Sequence, residues 1–402
     1  HTRGNGVSWA RRGVYETVFM GVTLEKSKIA ELLLTSMSKL FSRYKSGLGI
    51  SILFVGTMLA ASTGIVGATV IAMGLISLPA MLKRGYSQKI STGLIAATGT
   101  LGQIIPPSIA LVILGDVLAT AYQQSQLKIG NYVAKSLSVG DLFMAAIVPG
   151  IILVLIYGLY FVIALRKQEL NTFSESKDDN LFKLISTLVP PFFLIFAVLG
   201  SIILGVASPT EAAGIGALGA ILIALFHKKL TIQILKETTK QSAFISSMVF
   251  LILIGASIFS LVFRGLGGEE LITEIFNMIP GGLFGAMILV MLLVFILGFI
   301  LDFIEITFIV VPIVGPILMA MGADPLWLGV LLAINLQTSF LTPPFGFALF
   351  YLRSVVPEKI KTETMYEGVL PFIVIQIFVL CLVAYFPTLA TFLPNLIFSN
   401  SY

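Results

Sequence analysis

Charge is scarce in this sequence. Lysine and arginine number 25 and aspartate and glutamate 20 among 402 residues, so 11% of the chain is charged, against about 25% in a soluble domain. The deficit excludes an ordinary water-facing surface. Cysteine is nearly absent: Cys381 stands alone in an apolar segment, and one thiol cannot build an intrachain disulfide framework. The histidines, His1 and His227, have no second metal ligand at useful spacing, and no HExxH, GxSxG or Walker glycine loop occurs. These absences argue against an enzyme, a bound cofactor and ATP as the energy source. A formal charge of +5 does not signify DNA or RNA binding, because the basic residues sit in loops between apolar runs, as the positive-inside rule describes.

What is abundant is apolar sequence. Hydrophobic residues make up 57% of the chain and the mean hydropathy is +1.01. Apolar runs recur at the roughly 20-residue length with which a helix crosses about 30 Å of hydrocarbon. The reading is an all-α polytopic membrane protein. The first residue is His1 rather than Met, and "HTRGNGVSWARRG" is neither a signal peptide nor a span. Residues 1–45 are expected to be an N-terminal remainder with an amphipathic arm, in a fragment whose earlier helices are missing.

The chain repeats itself at an offset of 237 residues. "LPAMLKRG", with Pro79 and Gly85, pairs with "GPILMAMG", with Pro316 and Gly322. Each of those prolines is followed 27 residues later by a proline pair, Pro106-Pro107 and Pro343-Pro344. Ahead of each lies a long apolar run: Ser46 to Leu82, and Pro280 to Gly322 with only Asp302 and Glu305 charged. A helix of about 36 residues would be about 54 Å long, well beyond the bilayer core. Each run therefore folds back on itself, within Ala60 to Thr69 in the first and Leu297 to Glu305 in the second. The arms are short for a full crossing, which makes both runs re-entrant hairpins.

Flanking charges assign the sides. Arg43, Lys45, Lys83, Arg84 and Lys89 bracket the first hairpin, whereas Glu269, Glu270, Glu274 and Asp324 bracket the second. The first therefore opens to the cytoplasm and the second to the periplasm. The resulting order is a first repeat over 46–165 (hairpin 46–84, broken helix 90–115, span 142–165) and a cytoplasmic linker over 166–183. Connecting scaffold spans over 184–264 lead to a second repeat over 265–402 (hairpin 280–322, broken helix 326–352, span 370–393). An inverted repeat of this kind is the architecture of secondary transporters.

Why break a helix inside the membrane? Unpaired backbone groups cost several kcal/mol in lipid, so interrupted helices persist there only where protein or a water-lined cavity satisfies them. Matched interruptions in two inverted halves point to a substrate and ion site, where half-helix N-termini meet an anion and freed carbonyls ligate Na⁺. Polar candidates beside the prolines are Thr98, Thr100, Gln103 and Ser108 with Pro106, and Asn335, Gln337, Thr338, Ser339 and Thr342 with Pro343. Asp302 and Glu305 are the acids deep in an apolar run, and their i, i+3 spacing puts them on one helical face; Asp302, nearer the expected tip, is preferred. In "SPTEAAG", Ser208, Pro209 and Glu211 form a capping box, a structural role sufficient for Glu211.

Five stretches, "LPAMLKRGYS", "AATGTLGQIIPPSIALVILGD", "SPTEAAGIGA", "LGFILDFIEITFIVVPIVGP" and "NLQTSFLTPPFGFALFYLR", resemble the DctM-like large membrane subunit of tripartite ATP-independent periplasmic (TRAP) transporters. The likeness runs from about Phe19 to Pro394, and its double-proline segments look most like the branch named for mannitol, chloroaromatic or 2-oxo acid compounds. The resemblance implies a multi-pass protein of the bacterial inner membrane, a Na⁺-coupled importer of small organic acids fed by a periplasmic binding protein and paired with a small four-helix membrane subunit. It also implies an elevator, in which a transport domain carrying two hairpins slides against a scaffold. By that analogy the Na⁺ and substrate contacts map onto the tips (Ser62, Thr63, Gly64, Asp302) and the broken helices (Gly99, Gly102, Asn335, Thr338). Within this set, Thr63, Gly99, Asp302 and Asn335 would hold Na⁺. The first tip, "ASTGIVGAT", lacks the serine-rich wording of many members. A stand-alone Na⁺:carboxylate symporter of related fold is the alternative; a channel suits two closed-ended hairpins less well.

Overall fold

The computed structural model describes residues 5–41, 44–132, 137–166, 168 and 181–398. Most of the expected linker at 166–183 therefore lies outside the described residues. Those described form helices and no strand. The N-terminal arm is α1 (Asn5–Lys26) and α2 (Ile29–Leu40). Two helices joined by two residues follow, α3 (Gly47–Thr63) and α4 (Val66–Lys83). Next come α5 (Gln88–Thr100), a 3₁₀ turn at Leu101–Gln103 and α6 (Ile109–Lys128). The long helices α7 (Val139–Leu165), α8 (Leu181–Ile203), α9 (Pro209–Phe226) and α10 (Ile232–Gly265) lead to the short α11 (Gly268–Met278). The second half contains α12 (Leu283–Leu297), α13 (Phe303–Ile309), α14 (Val311–Ala320), α15 (Pro325–Leu341), α16 (Phe347–Arg353), α17 (Thr362–Tyr385) and α18 (Thr388–Phe398).

The chain is an all-α polytopic membrane protein. Among the described residues six helices are long and apolar enough to cross a bilayer, or up to eight if each bent helix pair counts as one span. Exposed apolar rows run down single faces: Ile151, Leu155, Leu159 and Ile163 on α7, and Phe284, Ile288, Leu292 and Ile296 on α12. In water such stripes would be an aggregation hazard; against lipid tails they need no partner.

Several helices outrun the apolar segments that marked them. Within the scaffold spans expected over 184–264, α10 is 34 residues long and hence about 51 Å. Its first turns carry Lys236, Glu237 and Lys240 and continue the helix beyond the hydrocarbon. Likewise α6 extends to Lys128 and α17 starts at Thr362 rather than near 370. Hydropathy finds the lipid-embedded part of a helix, while backbone hydrogen bonding sets its ends. The span expected to reach 393 stops at Tyr385, because Pro387 has no N–H to continue the ladder, and α18 starts afresh at Thr388.

The repeat is legible in helix boundaries. The starts of α4 (Val66) and α5 (Gln88) and the end of α4 (Lys83) recur 237 residues later at Phe303, Pro325 and Ala320. Equivalent N-caps, Ser87 and Asp324, each accept backbone N–H bonds from the helix they open. Gly85 and Gly322 both take positive φ, 87° and 106°. The two halves interlock: α5 is gripped between α4 and α17, α6 packs along α14, and α15 packs on α17 and α12. Where α5 crosses α17, a Cβ on Gly93 would collide with the Gly368 carbonyl oxygen, so small residues set the backbone approach. The arm helix α1 lies against α9 and α10, burying Val14, Val18, Met20 and Leu24.

Candidate functional site

The α3–α4 and α12–α13 connections form two tips. At the first, Gly64 closes α3 in the left-handed conformation, φ 59°, with its N–H on the Ala60 carbonyl. At the second, α12 ends at Leu297 and the chain reaches Asp302 before α13 begins. Asp302 is the N-cap of that helix: its carboxylate accepts from the Phe303 N–H at 2.7 Å, and the Glu305 carboxylate accepts from the Asp302 N–H at 3.1 Å. The three-residue spacing therefore denotes a reciprocal capping box and not a shared helical face. "DFIE" has the same signature as "SPTE", where Ser208 and Glu211 form the expected box. Ile65, the repeat equivalent of Asp302, is also an N-cap but has no side-chain cap.

The tips and the interrupted helices meet around one cavity of about 100 Å³. Gly64 to Gly67 line it from the first tip and Asp302 to Ile304 from the second. The first interruption contributes Gln103, Ile109 and Ala110, the second is represented by Phe340 and Tyr351, and α10 closes the wall with Ile245, Met248 and Val249. Four lining pairs are repeat equivalents at the 237 offset: Ile65 with Asp302, Val66 with Phe303, Gly67 with Ile304, and Gln103 with Phe340. The cavity thus sits where the two halves exchange places, and its lining is chemically unequal. Asp302 is its charged side chain, on the second half alone. Helices α4 and α6 begin at its wall, bringing the partial positive charge of two helix N-termini.

Of the residues expected at the site, Gly64 and Asp302 line the cavity. The others mostly hold the interruptions together. Thr98, Thr338 and Thr342 donate to the carbonyls of Leu94, Ile334 and Thr338, each at 2.7 Å, and the Ser108 hydroxyl donates to the Gly102 carbonyl across the first break. Pro106 and Pro343 each lead a cis-linked proline pair. Asn335 Nδ2 donates to the Met291 carbonyl at 2.7 Å, tying α15 to α12. Gly99 lies against Val70, and Gly102 lies so close to α3 that a Cβ there would be 2.5 Å from the Ala60 oxygen. The side chains of Ser62 and Thr63 lie outside the described residues. Gln103 reaches the cavity as well. Its signal in the sequence was an amide one turn before the proline pair.

A second set of polar groups is buried nearby. Gln376 Nε2 donates to Thr100 Oγ1 at 3.3 Å, and the buried Tyr157 hydroxyl lies beside the side-chain amides of Gln337 and Gln376. Thr100 and Gln337 are repeat equivalents at the 237 offset, so this layer also joins the halves.

An all-helical, multi-pass chain with two matched sets of tip and interrupted helix around one internal cavity is built as a membrane transport protein. Residues 14–389 match the family described as "Tripartite ATP-independent periplasmic transporter, DctM component", and the chain belongs to that family. It is thus the large permease component of a three-part transporter, a protein of the inner membrane and not an enzyme. It is 29% identical over 383 residues to the C4-dicarboxylate TRAP transporter large permease protein DctM of Rhodobacter capsulatus, covering 94% of this chain and 86% of that one. It is 27% identical to the ectoine TRAP transporter large permease protein TeaC of Halomonas elongata, covering 93% and 84%. Among solved structures, the fold is similar to that of the antimetabolite efflux pump MtrF of Neisseria gonorrhoeae, with a TM-score of 0.63, 14% identity and coverage of 98% of this chain and 83% of that one. The Alcanivorax borkumensis YdaH transporter is similar too, with a TM-score of 0.58, 13% identity and coverage of 94% and 85%.

Proposed function

We propose that this permease imports small organic acids by Na⁺ symport, moving substrate and Na⁺ together in the cavity between the hairpin tips. The observation that carries the reading is the composition of that cavity. An anion is favoured by the N-termini of α4 and α6 and by neutral donors. A cation is favoured by Asp302, the charged side chain of the lining. A site offering both without a lysine or arginine suits an anion accompanied by Na⁺. The relatives' names, which include C4-dicarboxylate, sialic acid and isethionate, support organic acids as the class. The substrate would arrive on a periplasmic binding protein, and a small four-helix membrane subunit would complete the scaffold.

In this proposal α3 to α7 and α12 to α18 form the moving body, and α1, α2 and α8 to α11 the fixed one. Proteoliposomes holding the three components are expected to accumulate substrate when Na⁺ is imposed outside. Equal uptake with K⁺ in place of Na⁺ at matched membrane potential would remove Na⁺ from the mechanism.

In this reading the loop after α4 is cytoplasmic and α11 periplasmic, which the basic and acidic loops support. Cys381 is exposed, so labelling requires a Cys381→Ala background. In it, Gln88→Cys and Glu274→Cys are expected to react with an impermeant maleimide from opposite faces of the membrane. Reaction from one face would mean that the repeats are parallel.

A further inference from the structure

Gln103 is 1% exposed, lines the cavity, and has no hydrogen-bond partner in the protein at either Nε2 or Oε1. A wholly buried amide with both ends unpartnered costs a folded protein roughly 1–3 kcal/mol per group, so the position is disfavoured unless something else uses it. Other buried polar groups of the interruptions, Thr98, Ser108, Asn335 and Thr338, are engaged by carbonyls. Of the buried amides, Gln337 lies beside the Tyr157 hydroxyl, whereas Gln103 reaches the cavity with neither end bonded, held in the 3₁₀ turn at the end of α5. Across the internal repeat its equivalent is Phe340, which lines the same cavity and packs its ring on Phe347 at 5.1 Å. The cavity therefore has an amide wall from the first half and an aromatic wall from the second.

Resting on the organic-acid reading above, we propose that Gln103 determines substrate specificity: its Nε2 donates to a carboxylate oxygen of the transported anion, whose carbon skeleton packs toward Phe340. A neutral donor fits this role beside Asp302. An arginine there would form an ion pair with the aspartate and compete with the cation, whereas an amide binds the anion and leaves the carboxylate free. Oε1 remains available to accept from a hydroxyl on the same substrate.

The test uses proteoliposomes holding the three-part carrier, with radiolabelled pyruvate, succinate and 2-oxoglutarate as probes. Gln103→Leu keeps side-chain size and removes both hydrogen-bonding ends. It is expected to raise the half-saturating concentration of any transported probe by roughly 10- to 100-fold, with Na⁺ activation and melting temperature unchanged. Gln103→Glu keeps the shape and sets a second negative charge against the anion. It is expected to be worse near pH 7.5 and to recover as pH falls, because a protonated carboxyl again donates a hydrogen bond. Wild-type half-saturation in Gln103→Leu, or equal loss in Gln103→Glu at all pH values, would overturn the assignment, as would a defect matched by lost folded protein in both variants. Wild-type carrier that takes up none of the three probes would overturn the organic-acid reading, and this proposal with it.

Discussion

Asp302→Asn is expected to leave the protein folded and inserted while reducing Na⁺-driven uptake at least about 100-fold. Asparagine caps a helix as well as aspartate does, so the start of α13 survives the exchange. The charge does not. A desolvated cation that loses its charged partner forfeits about 3 kcal/mol or more, which corresponds to about two orders of magnitude. Asp302→Ala removes the cap as well, and its melting temperature should fall further, by the equivalent of about 1 kcal/mol. Comparing the two variants separates the structural role visible in the capping box from the transport role. Near wild-type uptake in Asp302→Asn would reduce Asp302 to a helix cap.

The second large effect is expected at the first tip. Gly64 and Gly205 have similar backbone conformations, φ 59° and 68°, but different surroundings. A Cβ on Gly205 meets nothing within 4 Å, whereas one on Gly64 would lie 2.6 Å from the backbone nitrogen of Ile109, at the start of α6. Alanine at either position costs about 1–2 kcal/mol for the left-handed conformation. Gly205→Ala should show that cost alone, as a small drop in thermal stability with normal uptake. Gly64→Ala must also push the tip away from α6 and reshape the cavity wall, so uptake per folded molecule should fall by roughly tenfold or more. Indistinguishable uptake in the two variants would show that close seating of the tip on α6 is dispensable.

Much of the fold was legible because the membrane imposes strict rules on sequence. Twenty-residue apolar runs, basic loops and prolines at matched spacing are one-dimensional signals, and α7 falls close to the span expected at 142–165. The ends of α6, α10 and α17 were not legible, since a helix continues into water once its hydrogen-bond ladder is established. The spacing of Asp302 and Glu305 was misjudged for a local reason: an i, i+3 acid pair looks the same inside a helix and across its first turn. Only the five-residue gap after Leu297 decides between them.

The site was legible in outline and not in detail. Breaks beside Pro106 and Pro343 pointed to exposed backbone, but most of the hydroxyls and amides around them hold the breaks closed. Thr98 and Thr338 bond within their own helices, and Asn335 reaches a carbonyl on α12. Which polar groups remain unbonded, and which of those reach the cavity, depends on the three-dimensional positions of all the others; Gln103 meets both conditions, whereas Ser77 and Thr307 are unbonded but do not line it.

Sequence alone determined that the chain lives in a membrane, that it is helical, that it repeats, and where each repeat is interrupted. Each of these follows from hydrophobicity and backbone chemistry read along one dimension. Tertiary structure decided that Ile65 and Asp302, and Gln103 and Phe340, line a single cavity. Residues 237 positions apart meet only because the two halves interlock, α6 on α14 and α5 on α17, and that packing depends on contacts between side chains far apart in the chain.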